Sequence, residues 1–133
     1  MVIEANQASG TGFVIHQQEG STLLITNSHV LEGASVVRIR WSDGRLDQAS
    51  VVLDGGRASS DMVNDLALLK VKREQGVVLP LSSDPPRAGA EVIAIGTPSG
   101  LDFSISKGVI SGIRDNGQLI QTDTAINSGS SGG

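Results

Sequence analysis

Cysteine is missing from this chain of 133 residues. No disulfide can therefore staple the fold, although the compartment stays open, because a cysteine-free protein can live anywhere. Aromatic residues make up only 2%, so a core must be built from Val, Ile, Leu and Ala. No apolar run approaches the roughly 20 residues of a membrane helix, which excludes a membrane-spanning segment of that kind. No signal peptide is evident, and a Met at position 1 does not exclude an export signal removed before it. Basic charge is not in excess: 10 Lys and Arg face 14 Asp and Glu, for a formal net charge of −4, and the basic residues are scattered, so no nucleic-acid partner is expected. His, Cys and carboxylates never cluster at ligand spacing, so no metal and no cofactor are expected either.

What the chain does have is glycine and short apolar stretches. Hydrophobic residues reach 38%, enough for a core in a chain the size of one ordinary domain, and seventeen glycines break it into pieces with frequent turns. This pattern predicts an all-β fold, a sandwich or a barrel. Residues 1–9 read as a loose polar arm or a short edge strand. Phe13-Val14-Ile15 reads as the first convincing strand, and Ser21 to Thr26 as its hairpin partner across Glu19-Gly20. Asn27 to Gly33 has the polar start and glycine end of a single helical turn. Val36 to Trp41 alternates apolar and basic residues, as a half-exposed strand does. Ser42 to Arg45 reads as a turn, Leu46 to Leu53 as a strand, Gly55 to Asn64 as a polar loop, Asp65 to Val71 as a strongly apolar strand, and Val77 to Leu79 as the last strand of this half. Ser82 to Gly89, with Pro85 and Pro86, reads as a linker. Beyond it come a buried strand (Glu91 to Gly96), a turn (Thr97 to Gly100) and a long strand from Phe103 to Ile113, which Gly108 and Gly112 should bulge or bend. The tight turn Asp115-Asn116-Gly117 and a strand from Gln118 to Thr122 lead to the end.

The closing segment, Gln121 to Gly133, reads as a nucleophile loop. Ser131 lies between Gly129-Ser130 and Gly132-Gly133, where glycines let a substrate approach the main chain and let N–H groups point at a developing oxyanion. Those last five residues have, by themselves, the composition of a flexible linker. A catalytic reading requires a base and an orienting acid elsewhere. Only two histidines exist. His16 lies before a turn and reads as a solvated histidine. His29 directly follows an apolar strand. Asp65 opens one, whereas Asp54 and Asp61 lie in or beside the polar loop with no strand to fix them. The order His29, Asp65, Ser131 is one of the known chain orders of the Ser-His-Asp constellation.

Five segments then carry a resemblance. Thr26-Asn27-Ser28-His29-Val30 resembles the histidine motif of the HtrA/Deg branch of trypsin-like serine proteases, and Asp65 to Val71 resembles its aspartate motif. Ile95 to Gly100 and Lys107 to Gly112 resemble segments of its second barrel, and Gln121 to Gly133 its serine motif. The resemblance spans about Gly10 to Gly133. It implies a chymotrypsin-like double β-barrel: a first barrel over residues 1–81 carrying His29 and Asp65, a linker over 82–89, and a partial second barrel over 90–133 carrying Ser131. It implies a serine endopeptidase with Ser131 as nucleophile, His29 as base, Asp65 as orienting acid, and the N–H groups of Gly129 and Ser131 as oxyanion hole. Ala125 and Ile126 would wall the pocket for the side chain before the scissile bond and, being uncharged, favour small or medium apolar residues. The implied substrates are unfolded or misfolded polypeptides. Trimers, a PDZ domain in the longer protein and a periplasmic or cell-envelope location also follow from the family.

Two departures accompany it. The family continues past the serine motif with further strands, whereas this sequence ends two residues after Ser131, so its second barrel is expected to be incomplete. Ser130 stands where digestive relatives carry an aspartate, so activation by N-terminal cleavage is not expected. Two function classes stay open at this point: an endopeptidase, and a catalytically incompetent fragment or non-catalytic β domain used for binding or assembly.

Overall fold

The computed structural model describes residues 1–6, 8–54, 57–58, 60–61, 63–97 and 103–133. Its strands fall in chain order as β1 (Val2–Ala5), β2 (Ala8–Thr11), β3 (Phe13–Gln18), β4 (Ser21–Thr26), β5 (Val36–Arg40), β6 (Leu46–Val51), β7 (Leu53–Asp54), β8 (Arg57–Ala58), β9 (Ser60–Asp61), β10 (Leu66–Val71), β11 (Glu91–Gly96), β12 (Ser104–Arg114) and β13 (Leu119–Thr122). Among the described residues the only helical pieces are two 3-10 turns, Ser28–Leu31 and Asp115–Gly117.

The larger sheet runs β2-β1-β5-β6-β10-β4-β3, with β9 paired onto β10. Its interior follows from the period-two alternation of its strands. In β4, Thr22, Leu24 and Thr26 point inward; in β5, Val37 and Ile39; in β10, Ala67, Leu69 and Val71. Trp41, just past β5, joins them, and its indole N–H finds Asp47 at 2.8 Å. Most of the buried apolar side chains belong to this sheet, the others being Val30, Leu31, Trp41 and Ile110. Leu69 is fully buried among them, so Leu69→Ala should cost about 2–5 kcal/mol in urea denaturation through lost transfer energy and a residual cavity.

Several expectations change here. Residues 1–9 are not a loose arm: Val2 and Ile3 are fully buried, and β1 sits between β2 and β5. Val77 to Leu79 forms no regular strand, only a bridge from Val78 to Val14 and a bond from the Leu79 N–H to the Val14 carbonyl. The polar loop after β7 carries the short strands β8 and β9. The turn expected at Thr97 to Gly100 falls largely outside the described residues.

The smaller sheet, β11-β12-β13, is antiparallel. β11 was expected to be buried, yet Ile93 is 64% and Ile95 52% exposed, as is Ile105 opposite, at 70%. Those three side chains share one face, since Ile95 pairs with Ile105 and Ile93 with Lys107, and no described element covers that face. The ladder of β12 slips between Ile110 and Gly112, a bulge where glycine suggested one. Gly108 keeps regular pairing. Its missing side chain serves another purpose, because a Cβ there would lie 2.7 Å from Thr124 Oγ1 and 2.9 Å from the Thr124 nitrogen. Glycine thus lets the segment leading to Ser131 lie flat against β12, where Asp123 accepts the Val109 N–H at 2.7 Å.

Candidate active site

β4 and β10 are antiparallel neighbours, with Thr26 opposite Ala67. The residues just after β4 therefore meet the residue just before β10, which brings together two side chains far apart in sequence. After Asn27 the chain enters the 3-10 turn Ser28–Leu31, anchored by buried Val30 and Leu31 and closed by Glu32 in a left-handed conformation. His29 projects outward from that turn. Asp65 also sits in a left-handed conformation, at φ 55°, which Asp tolerates better than most residues. Its carbonyl accepts the Ser28 N–H at 3.1 Å and the Asn27 side-chain amide at 2.8 Å. Its carboxylate accepts the His29 backbone N–H at 2.8 Å through Oδ1 and meets His29 Nδ1 at 2.5 Å through Oδ2.

The backbone N–H and the ring of His29 together hold the Asp65 carboxyl below the usual carboxylate value of 3.8. An ionised carboxylate only accepts hydrogen bonds, so Nδ1 must carry the proton. That assignment leaves the lone pair of a neutral imidazole on Nε2, free to take a proton from a hydroxyl. Both side chains remain open to solvent, His29 at 58% and Asp65 at 40% exposure.

The serine loop is built from two consecutive turns. The Ser130 N–H donates to the Asn127 carbonyl at 3.0 Å, with Gly129 at φ 93°. The Gly133 N–H donates to the Ser130 carbonyl at 2.9 Å, with Gly132 at φ 87°. A positive φ at the third position of a four-residue turn is the type II pattern, which selects glycine. Among the described residues the N–H groups of Gly129 and Ser131 donate to nothing within the chain. The loop is docked on the larger sheet, because the Thr11 N–H donates to the Ser131 carbonyl at 2.7 Å. Gly132 presses closest. A Cβ there would overlap the Thr11 carbonyl and Thr26 Oγ1 and lie 3.2 Å from the Asn27 nitrogen. Gly132→Ala should therefore cost about 1–3 kcal/mol in thermal or urea denaturation, from backbone strain added to that overlap.

His29 and Asp65 are thus in contact, and Ser131 lies in a loop packed beside Thr26 and Asn27, two residues before His29. Among the described residues no hydrogen bond joins Ser131 Oγ to the imidazole. Ala125 and Ile126 line a cavity of about 50 Å³ with Ala94, Gly96, Ser104 and Ser106, and no charged side chain borders it. Among the described residues the His16 ring bonds to Gln18, at 3.1 Å, and Asp61 braces the loop before Asp65 through the Val63 and Asn64 N–H groups. No described group of three or more His, Cys, Asp or Glu residues could hold a metal.

The model of the trypsin-like peptidase domain matches residues 10–133. The chain belongs to the trypsin-like peptidase family. Within that family it is similar to HtrA/Deg-type proteins. HhoA of Synechocystis sp. is 39% identical over 138 residues, covering 93% of this chain and 32% of its own length. The periplasmic serine endoprotease DegP of Salmonella typhimurium is 35% identical, covering 95% of this chain and 27% of its own. The serine protease Do-like HtrA of Bacillus subtilis is 34% identical, covering 98% and 31%. The crystal structure of the serine endoprotease from Yersinia pestis superposes with a TM-score of 0.81 at 31% identity, over 98% of this chain and 46% of that one. This peptidase domain therefore has a partial chymotrypsin-like fold, and it spans about a third of the length of these curated relatives.

Two further contributors to the site were given no role of their own in the sequence. Asn27 holds the Asp65 carbonyl, and Thr11 holds the serine loop. Asn27 lies inside the histidine motif, and Thr11 stands between Gly10 and Gly12 ahead of the first convincing strand.

Proposed function

We propose that this chain supplies the catalytic residues of a serine endopeptidase, with Ser131 as nucleophile, His29 as base and Asp65 as its orienting acid. The observation that carries this reading is the contact of Asp65 Oδ2 with His29 Nδ1 at 2.5 Å, which points the free Nε2 lone pair away from the carboxylate. In the proposed cycle Ser131 Oγ bonds to a peptide carbonyl carbon while its proton passes to His29 Nε2. Asp65 stabilises the imidazolium. As the tetrahedral species collapses, the C–N bond breaks and His29 donates that proton to the leaving amine. Water then bonds to the acyl carbon as its proton passes to the same nitrogen, and when the C–Oγ bond breaks His29 returns that proton to Ser131 Oγ. The unoccupied N–H groups of Gly129 and Ser131 support a role as oxyanion donors, each of which is typically worth on the order of 100- to 1000-fold in rate.

The uncharged lining around Ala125 and Ile126 supports cleavage after Val, Ala or Leu. The substrates are unfolded or misfolded polypeptides. Because DegP relatives are named periplasmic, the reading includes a periplasmic or cell-envelope location for the whole protein; homotrimers and a PDZ domain in a longer chain belong to it through the HtrA/Deg resemblance alone. A second reading, that this piece is incompetent alone, is favoured by one observation: Ser131 Oγ is not bonded to the imidazole.

The test is digestion of a reduced, unfolded protein followed by mass mapping of the new termini. Cuts after Val, Ala and Leu are expected. Cuts confined to Lys and Arg would overturn the specificity, and Ser131-independent cuts would overturn the mechanism.

A further inference from the structure

Three buried threonines, none of them part of the proposed triad, meet behind the serine loop. Thr97 is 0%, Thr26 1% and Thr11 3% exposed. They come from different places: Thr11 from the end of β2, Thr26 from the end of β4, and Thr97 from the residue after β11 in the smaller sheet.

Their bonds have a direction that can be worked out. Thr11 Oγ1 lies 2.8 Å from Thr97 Oγ1, 2.9 Å from the Thr97 nitrogen and 3.0 Å from the Gly129 carbonyl oxygen. A hydroxyl has one proton and two lone pairs. The Thr97 N–H can only donate, and the Gly129 carbonyl can only accept. Thr11 must then spend its proton on Gly129 and accept from the Thr97 hydroxyl. The Thr97 hydroxyl also lies 3.4 Å from the Gly10 carbonyl, a longer alternative for its proton, but the reverse arrangement, with Thr11 donating to Thr97, would strip the Gly129 carbonyl of its partner. Thr26 Oγ1 meanwhile donates to the Thr11 carbonyl at 2.7 Å, and the Thr11 N–H donates to the Ser131 carbonyl at 2.7 Å.

Thr11 therefore grips the serine loop twice. Its hydroxyl fixes the Gly129–Ser130 peptide, and its N–H fixes the Ser131–Gly132 peptide. The peptide between those two carries the Ser131 N–H. With both neighbours clamped, and with the Ser130 carbonyl held by the Gly133 N–H at 2.9 Å, that middle peptide has little freedom to turn over. We infer that Thr11 is a positioning residue: its hydroxyl, backed by Thr97, sets the orientation of the loop that presents Ser131 and its N–H. This rests on the serine-peptidase reading for its consequence, but the clamp is measurable without any catalysis.

The substitution is Thr11→Val, which keeps the shape and the backbone N–H and removes only the hydroxyl. Thr11→Ser restores the hydroxyl, and Thr97→Val removes the hydroxyl behind it while keeping its N–H. Two readouts are taken on each protein: amide hydrogen exchange of Ser130 and Gly133, and the inactivation rate constant and binding constant for a fluorophosphonate. The Thr11→Val protein should exchange those two amides faster while Leu24 and Leu69 stay protected. Its inactivation rate constant should fall about 100-fold, the order expected for a displaced reacting group, with the binding constant little changed. Thr11→Ser should recover most of both, and Thr97→Val should show the same changes in smaller degree. If Thr11→Val does not fold, Thr97→Val and Thr11→Ser decide the question. Unchanged exchange at Ser130 and Gly133 in the folded valine variants would overturn the clamp. Faster exchange with no fall in the rate constant, or no rescue by serine, would overturn the positioning role. A parent protein that takes no label at all would count against the peptidase reading, while the exchange rates would still decide the clamp.

Discussion

Ser131→Ala is expected to lower peptide-bond hydrolysis by roughly 10⁶-fold, the order seen when the nucleophile of such a constellation is removed. At about 1.4 kcal/mol per factor of ten, that is about 8 kcal/mol of barrier. The expected change in stability is small by comparison. The substitution removes one oxygen from a half-buried side chain and leaves the backbone bonds of residue 131, including the one from Thr11, in place. The informative result is therefore the separation of the two effects: turnover of a fluorogenic peptide lost, and melting temperature held. A variant that retains turnover within a few-fold would remove Ser131 from the mechanism. A variant that loses turnover only because it unfolds would leave a large change in melting temperature as its mark.

Asp65→Asn is expected to lower kcat by about 10⁴-fold while leaving the larger sheet folded. The reason lies in the tautomer. The carboxylate only accepts, which forces the proton of His29 onto Nδ1, whereas an asparagine amide can also donate and so permits the proton to sit on Nε2, where the base function needs a lone pair. The same carboxylate gives a pH signature. Its folded pKa lies below the ordinary 3.8, first through the His29 backbone N–H and then through the His29 ring. A group whose pKa falls on folding contributes stability that is present above its unfolded value and is lost as pH drops through the folded value. The parent should thus lose stability on acidification below about pH 4, in the ordinary carboxylate range. Asp65→Asn should show a smaller loss across that window. Urea denaturation of both proteins at neutral and at acid pH measures the difference, and equal acid sensitivity would contradict the assignment.

His29 and Asp65 stood out in the sequence because each borders an apolar strand, and Ser131 because glycines flank it. The placement of β4 beside β10 then brings His29 to Asp65. Other parts had no such contrast. Residues 1–9 read as a loose arm or a short edge strand because Val2 and Ile3 are too few to show a period, yet pairing on both sides, to β2 and β5, makes β1 an interior strand and buries both apolar residues. β11 looked buried because Val92, Ile93 and Ile95 form an apolar run, but burial depends on what covers a face, which a single strand does not reveal. Thr11 lies between two glycines ahead of the first convincing strand, with nothing local to set it apart. Its importance comes from contacts with residues 97, 129 and 131, none of them near it in sequence. Gly108 suggested a bulge, whereas its actual use is close approach to Thr124, a distinction that only the fold can draw.

The most direct test of the central claim is the intact mass of the full-length protein before and after a fluorophosphonate, with the modified residue located by peptide mapping. The account predicts one adduct, on Ser131, forming far more slowly in His29→Ala. An adduct on another serine, or labelling of Ser131 at an undiminished rate without His29, would contradict it.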